Sequence, residues 1–157
     1  IKKKSHLILS QVLILAIPDL LWIIDFLYIF FTGNTLFNLA TYFFEERPLI
    51  AKLVSVQHLY VIPLALYSLY IFKVNKIDKK KALQFAALQL IIFFVLGMMF
   101  TTSETNINCV YELCFDISIT NLIVANFPYG FAWFLVMYSM MLISYFILVN
   151  IKLFKLK

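Results

Sequence analysis

Two aspartates and one histidine interrupt the apolar runs of this sequence. Asp19 and Asp25 lie within the first long run, and His58 lies within the second. An ionisable group inside a bilayer costs a few kcal/mol, so such residues favour a functional site. Imidazole changes its protonation near neutral pH, and a carboxylate beside it tunes that change. The three residues therefore predict a site that relays protons, binds a cation or holds a metal. The alternative is an interhelical hydrogen bond that only stabilises packing.

The depth of each residue predicts which of them can meet. In the run 7–31, Asp19 is central, and Asp25 lies six residues, or about 9 Å, from the far end. The run 49–72 returns from that end, and His58 lies nine residues, or about 14 Å, along it. Asp19 and His58 thus lie at similar depths, and they could meet if the two helices pack together.

A later loop carries further polar and sulfur-containing side chains. Asn106, Asn108 and Tyr111 could cover the mouth of a cavity lined by Asp25, although Asn in a loop commonly just forms turns. Cys109 and Cys114 lie in the same loop, and a disulfide between them is expected in an oxidising compartment. Two Cys with no His nearby in sequence make an incomplete zinc site.

Several chemistries have no matching motif in this chain. With only 3 Gly, it has no phosphate-binding glycine-rich loop, and it contains neither HExxH nor GxSxG. These absences exclude an ATP-driven pump formed by this chain alone, and the sequence identifies no cofactor. The net charge of +5 does not indicate nucleic-acid binding, because the basic residues fall in short clusters between apolar runs.

The composition places these residues in a membrane. Hydrophobic residues make up 64% of the 157 residues and charged residues 13%, which is too little polar surface for a water-soluble globule. A spanning helix needs about 20 apolar residues. Four runs are long enough and predict an all-α bundle that packs as a single transmembrane domain over 1–157: 7–31, 49–72, 82–102 and 127–148.

The basic residues predict the orientation. Short loops rich in Lys and Arg stay in the cytoplasm. Eleven of the 13 basic residues would lie on that side: Lys2–Lys4, Lys73, Lys76, Lys79–Lys81, Lys152, Lys155 and Lys157. Both ends are therefore predicted to be cytoplasmic, with an interfacial segment at 35–45 and a loop at 103–126 outside. The chain starts at Ile1 rather than Met, so we expect upstream sequence to be missing.

Four segments resemble a family of uncharacterised bacterial multi-pass membrane proteins: LLWIIDFL (20–27), TGNTLFNLATYFF (32–44), SVQHLYVIPLAL (55–66) and NINCVYEL (106–113). The family has other residue types where this chain has Thr41, Cys109 and Glu112. The resemblance implies no activity, but it implies a further upstream helix in longer members and a preference for Asp25 over Asp19. The positions that match the family pattern are Trp22, Asp25, Tyr42, His58, Pro63, Asn106, Asn108 and Tyr111.

The leading hypothesis is a bacterial inner-membrane protein with an outward-facing polar pocket that binds or transports a cation or small polar ligand. Its candidate residues are Asp25, His58, Tyr42, Asn106, Asn108 and Tyr111, with Asp19 second in rank. One alternative is a structural or accessory subunit in the lipid bilayer, whose protein partner the sequence does not identify. The other is an intramembrane enzyme that uses Asp25 and His58.

Overall fold

The computed structural model describes residues 5–71, 78–102, 109–112 and 118–150. Within these ranges the chain is helical and has no strand, which confirms the predicted all-α bundle. The helices are α1 (Ser5–Thr32), α2 (Thr41–Phe44), α3 (Leu49–Ser55), α4 (Gln57–Ile71), α5 (Lys79–Phe100), α6 (Ser118–Asn126) and α7 (Tyr129–Asn150).

Four helical spans are long and apolar enough to cross a membrane: Ser5–Thr32, Lys52–Ile71, Lys79–Phe100 and Tyr129–Leu148. They agree with the four predicted runs, so the chain is a membrane protein. The second span joins the end of α3 to α4 through Val56, which keeps helical dihedral angles (φ −59°, ψ −21°). The predicted interfacial segment contains the single-turn helix α2, and α6 lies within the predicted loop 103–126.

Helix α1 lies at the centre of the bundle and contacts α4, α5 and α7. Most of its buried side chains come from its first half, where Val12, Leu13 and Ser10 have no exposed surface. Three of the four buried positions of α5 are small residues, Ala82, Ala86 and Gly97, and the fourth is Leu90. Small side chains on one face let two helix backbones pack closely where lipid supplies no hydrophobic driving force.

Helix α5 begins three residues before the predicted start because Asp78 caps it. The backbone N–H of Lys81 donates to Asp78 Oδ1 over 3.0 Å, and Lys81 Nζ lies 3.5 Å from Oδ2. Asp78 lies outside the membrane spans, and the hydrogen bond from the Lys81 backbone lowers the pKa of its carboxyl below the usual value. An N-cap carboxylate satisfies a free N–H of the first turn and interacts favourably with the helix dipole.

The other end of α5 supports the segment 109–112. Val110 is 1% exposed, and a Cβ atom added at Gly97 would lie 2.8 Å from its Cγ1 atom. Val110 can pack this closely against α5 because residue 97 has no side chain. The segment is therefore packed on the bundle rather than extended away from it.

Candidate functional site

The centre of the site is a hydrogen bond between α1 and α4. Asp19 Oδ1 lies 2.7 Å from His58 Nδ1. The Asp19 side chain is 4% exposed and that of His58 is 28% exposed. When Asp19 is ionised, Nδ1 must carry the proton of this hydrogen bond, so the neutral ring keeps Nε2 as an acceptor. No hydrogen bond to Nε2 occurs within the described residues.

Trp22 holds the imidazole ring from the same side of α1. Its indole stacks on His58, with ring centroids 4.8 Å apart and planes at 29°. Trp22 is one helical turn from Asp19, so both side chains lie on the face that meets α4. The indole also stacks on Phe26 at 5.1 Å, and it is only 4% exposed. The His58 ring is thus fixed by a carboxylate on one atom and by an aromatic face.

Tyr42 completes this group from the segment that follows α1. Trp22 Nε1 donates to the Tyr42 hydroxyl over 3.1 Å. The adjacent Phe43 packs edge-on against Trp22, with centroids 6.2 Å apart. A connected set therefore runs from Asp19 through His58 and Trp22 to Tyr42, and we call it the His58 cluster.

A groove of about 290 Å³ lies beside Asp19 between α1 and α4. Its lining consists of Ala16, Asp19, Leu20, Ile23, Ile62 and Pro63. Asp19 is the one polar member of this lining. Pro63 lacks a backbone N–H, so the Leu59 carbonyl, one turn earlier in α4, does not receive the usual helical hydrogen bond from position 63.

Asp25 does not line an open cavity, as the sequence predicted, but is enclosed by the segment that follows α1. Its two carboxylate oxygens accept five hydrogen bonds of 2.7–2.9 Å from the segment after α1, and its side chain is fully buried. Oδ1 receives the Thr35 hydroxyl and the backbone N–H groups of Leu36 and Phe37, while Oδ2 receives those of Leu39 and Ala40. The carboxylate is saturated by its own chain.

Local backbone conformation makes this arrangement possible. Helix α1 ends at Thr32, and the next residue, Gly33, reverses the chain with a φ of +73° while its N–H donates to the Ile29 carbonyl. Asn38 takes a φ of +60°, and its N–H donates to the Thr35 hydroxyl over 2.7 Å. Both residue types tolerate left-handed conformations. The backbone amides between them consequently converge on Asp25.

The structure therefore pairs His58 with Asp19 rather than with Asp25. The similar depth of Asp19 and His58 allowed this contact, whereas the preference for Asp25 over Asp19 disagrees with the observed hydrogen bonds. Tyr42 joins the His58 cluster as a partner of Trp22. The cavity that we predicted beside Asp25 is instead filled by residues 35–40.

The predicted loop residues lie at another position, at the end of α5. The Tyr111 hydroxyl lies 2.7 Å from the Thr101 carbonyl oxygen, and the Tyr129 hydroxyl donates to the Cys109 carbonyl. Cys109 is disulfide-bonded. Asn106, Asn108 and Cys114 lie outside the described residues. The described part of the loop thus ties α5 to α7.

Residue types did not reveal two partners. One is the set of backbone amides that bind Asp25, and the other is the indole of Trp22 that stacks on His58. An amide group carries no side-chain signature, so only the turn residues Gly33 and Asn38 could have pointed to them. Trp22 entered only through the family resemblance, yet it lies three residues after Asp19, which is a helical neighbour position.

Within the part of the chain that the structure describes, the fold and the site define a helical membrane protein with four candidate spans and a carboxylate–imidazole pair between the first two of them. Within the described residues, no three His, Cys, Asp or Glu side chains converge as a metal site would require. Comparisons of the chain with protein-family models, with characterised proteins and with solved structures give no match.

Proposed function

We propose that this chain is a small bacterial inner-membrane protein, with both ends cytoplasmic, that binds and releases a proton at the Asp19–His58 pair and couples this to binding or transport of a cation or small polar ligand. It would belong to the family of bacterial multi-pass membrane proteins that its sequence segments resemble. The 2.7 Å contact between His58 Nδ1 and Asp19 Oδ1 inside a membrane span carries the proposal.

The pair has two charge states that differ by one proton. With Asp19 ionised and His58 neutral, its net charge is −1, and protonation of Nε2 brings it to zero. A charge buried in apolar surroundings is costly unless it is paired. The state with net charge −1 therefore attracts a cation and the neutral state does not. A proton-coupled site needs this difference.

The environment of the pair supports exchange rather than permanent burial. His58 keeps 28% of its side chain exposed, and its Nε2 atom makes no hydrogen bond within the described residues. Asp25 provides the contrast, because its oxygens are fully occupied and its contacts are those of a structural residue. The structural contacts of Asp25 favour the second candidate, an accessory subunit in which both aspartates only stabilise packing.

Histidine NMR separates these two candidates. The chain has 2 His, so a His6→Gln variant labelled at the imidazole carbons reports on His58 alone. Spectra are recorded over about pH 5 to 8, and a pair that binds and releases a proton should make the His58 signals change reversibly across the series. Adding Asp19→Asn should change that titration, and adding Gln57→Ala, at the exposed neighbour of His58, should not.

A His58 signal that stays constant over this range in native-like bilayers would favour the accessory subunit. The same conclusion would follow if Asp19→Asn left the titration unchanged, because the carboxylate would then have no influence on the proton. Thermal unfolding of each variant checks that the bundle is intact before the spectra are compared.

A further inference from the structure

We infer that one side of α5 binds an anionic phospholipid, with the phosphate beside Lys80, an ester carbonyl beside Gln84 and an acyl chain along three apolar residues. These apolar residues are Leu88, Ile91 and Val95, and we call all five residues the α5 lipid face. The inference goes beyond the proposed function and does not depend on it, because the Asp19–His58 pair lies between two other helices.

The members of the α5 lipid face share one side of the helix. They follow one another at intervals of three or four positions, the spacing that places side chains on one helical face. All five are exposed: Lys80 and Gln84 at the start of the face, then Leu88 at 51%, Ile91 at 51% and Val95 at 46%. The buried positions of α5 lie on the opposite side, so this face of the span is left to the lipid.

The order of polarity along this face matches that of a phospholipid. Lys80 lies in the first turn of α5, and Gln84 lies four residues, or about 6 Å, further along the helix. The headgroup and ester layer of a bilayer is about 5–8 Å thick on each side of the hydrocarbon core. When Lys80 lies at the depth of the phosphates, the amide of Gln84 therefore lies at the depth of the ester carbonyls.

The Gln84 amide has no partner that would otherwise explain its position. Its side chain is exposed, and it makes no hydrogen bond within the described residues. A polar group that faces hydrocarbon without a hydrogen bond costs free energy. An ester carbonyl oxygen can accept a hydrogen bond from the amide N–H, so a phospholipid held at this face removes that cost.

The charge at the start of α5 selects an anionic headgroup. The nearby carboxylate of Asp78 is already engaged, with Lys81 Nζ 3.5 Å from its Oδ2 atom. Lys80 forms no ion pair within the part of the chain that the structure describes, and α5 contains no acidic residue. A basic side chain at the surface of an anionic membrane favours anionic over neutral headgroups about fivefold.

The same charges disfavour a second copy of the chain as the occupant of this face. A symmetric pair of copies inserted in one direction would align α5 with its counterpart in parallel. The lysines at 79–81 of the two copies would then lie opposite each other and repel. An anionic headgroup at that position is attracted instead.

Photocrosslinking at the α5 lipid face tests the inference. Benzoylphenylalanine replaces Leu88 in the full chain, which is reconstituted in bilayers of equal parts phosphatidylglycerol and phosphatidylcholine with identical acyl chains. Light joins the residue to an adjacent lipid, and mass spectrometry identifies the headgroup. We expect adducts of the anionic lipid to exceed those of the neutral lipid about fivefold.

Two lysine variants show whether the preference arises at this face. Lys80→Gln should bring the two kinds of adduct to about equal amounts. Lys79→Gln removes the same charge from the same turn, but residue 79 lies about 100° round the helix, so it should keep the preference. Equal loss in both variants would overturn the inference, because general surface charge would then explain the preference. Crosslinks between protein chains as the main product would overturn it in favour of a second copy.

A second competition tests the role of Gln84. Ether-linked phosphatidylglycerol has the same headgroup but lacks the ester carbonyls, so the wild type should form more adducts with the ester-linked lipid. Gln84→Leu should remove that preference. Equal use of both lipids by the wild type would overturn the assignment of Gln84. None of these results alters the titration of His58, so their failure leaves the proposed function in place.

Discussion

The indole of Trp22 and the imidazole of His58 stack at a centroid distance of 4.8 Å, so the charge of one ring lies within contact distance of the other. A protonated imidazole quenches the fluorescence of an adjacent indole because it accepts an electron from the excited ring. In a Trp133→Phe variant, which leaves Trp22 as the single tryptophan, a pH series from about 8 to 5 should show emission that falls reversibly when the pair takes up its proton.

The same variant with His58→Gln should show no pH-dependent quenching in this range. If quenching persists without the imidazole, another group is responsible and the stacked pair does not report on protonation. Near-ultraviolet circular dichroism of both proteins checks that Trp22 keeps its environment.

Loss of the Asp25 charge should free the segment that follows α1. Asp25→Asn replaces one acceptor oxygen with an NH2 group that faces backbone donors, and each buried donor without a partner costs roughly 1–3 kcal/mol. We expect the free energy of unfolding in detergent to fall by about 3 kcal/mol. Cleavage after Glu45 and Glu46 by a glutamate-specific protease should become several times faster.

Asp19→Asn provides the matched control, since it removes a carboxylate from the same helix without touching residues 35–40. It should leave cleavage after Glu45 at the wild-type rate. Equal protection of the Asp25→Asn protein would show that the aromatic contacts of Phe43 and Phe44 with Phe26 hold the segment without the carboxylate.

A methyl group at Gly97 should displace the segment 109–112. The new Cβ atom would lie 2.8 Å from Val110 Cγ1, and overpacking of this kind costs about 1–3 kcal/mol. We expect Gly97→Ala to lower the thermal unfolding midpoint in detergent, and the double variant Gly97→Ala with Val110→Ala to recover part of the loss.

Gly130→Ala is the comparison for that experiment. Its nearest contact would be the Cζ atom of Phe94 at 3.3 Å, the far end of a ring that can shift by a few tenths of an ångström. It should cost less than Gly97→Ala. A double variant no more stable than Gly97→Ala alone would mean that the strain is not against Val110.

Capping of α5 by Asp78 should make stability depend on pH in the acidic range. The folded state lowers the pKa of this carboxyl below its usual value near 3.8, so folding favours the ionised form. Its contribution is present above the unfolded pKa and is lost as the pH falls through the lowered folded pKa. The wild type should therefore unfold at a higher temperature than Asp78→Asn near neutral pH, and the difference should shrink below about pH 4.

Amide hydrogen exchange at Lys81 locates that effect. Exchange in Asp78→Asn should be faster than in the wild type at neutral pH, while amides in the middle of α7 should be unchanged. A difference in unfolding temperature that is independent of pH would contradict an electrostatic origin.

The sequence was most informative where lipid leaves the chain few choices. Apolar runs of about 20 residues must be helical in a bilayer, so the four spans could be placed closely. Depth allowed a contact between Asp19 and His58, because rise per residue is constant in a helix, but it did not select Asp19 over Asp25. The early start of α5 could not be placed from hydropathy, since its first turn consists of lysines and is set by the Asp78 cap.

The environment of Asp25 shows where such reasoning fails. Its partners are four backbone amides and one hydroxyl, brought together by positive φ angles at Gly33 and Asn38. A sequence pattern shows side chains but not the positions of backbone amides. It therefore does not distinguish a buried carboxylate that binds a ligand from one that binds backbone N–H groups of its own chain. Only the path of residues 33–40 distinguishes the two.

The order of synthesis gives this carboxylate one more consequence. The donors of Asp25 lie 10 to 15 residues after it in the chain, so the helix that carries it is complete before they exist. Without those donors α1 holds an unsatisfied charge in its last two turns, which costs less than the roughly 2.5–3.5 kcal/mol of a charge at a helix centre but still opposes insertion. Helix α1 and residues 33–40 should therefore enter the bilayer as one unit, and a nascent chain that stops at Thr32 would integrate less efficiently than one that reaches Ala40.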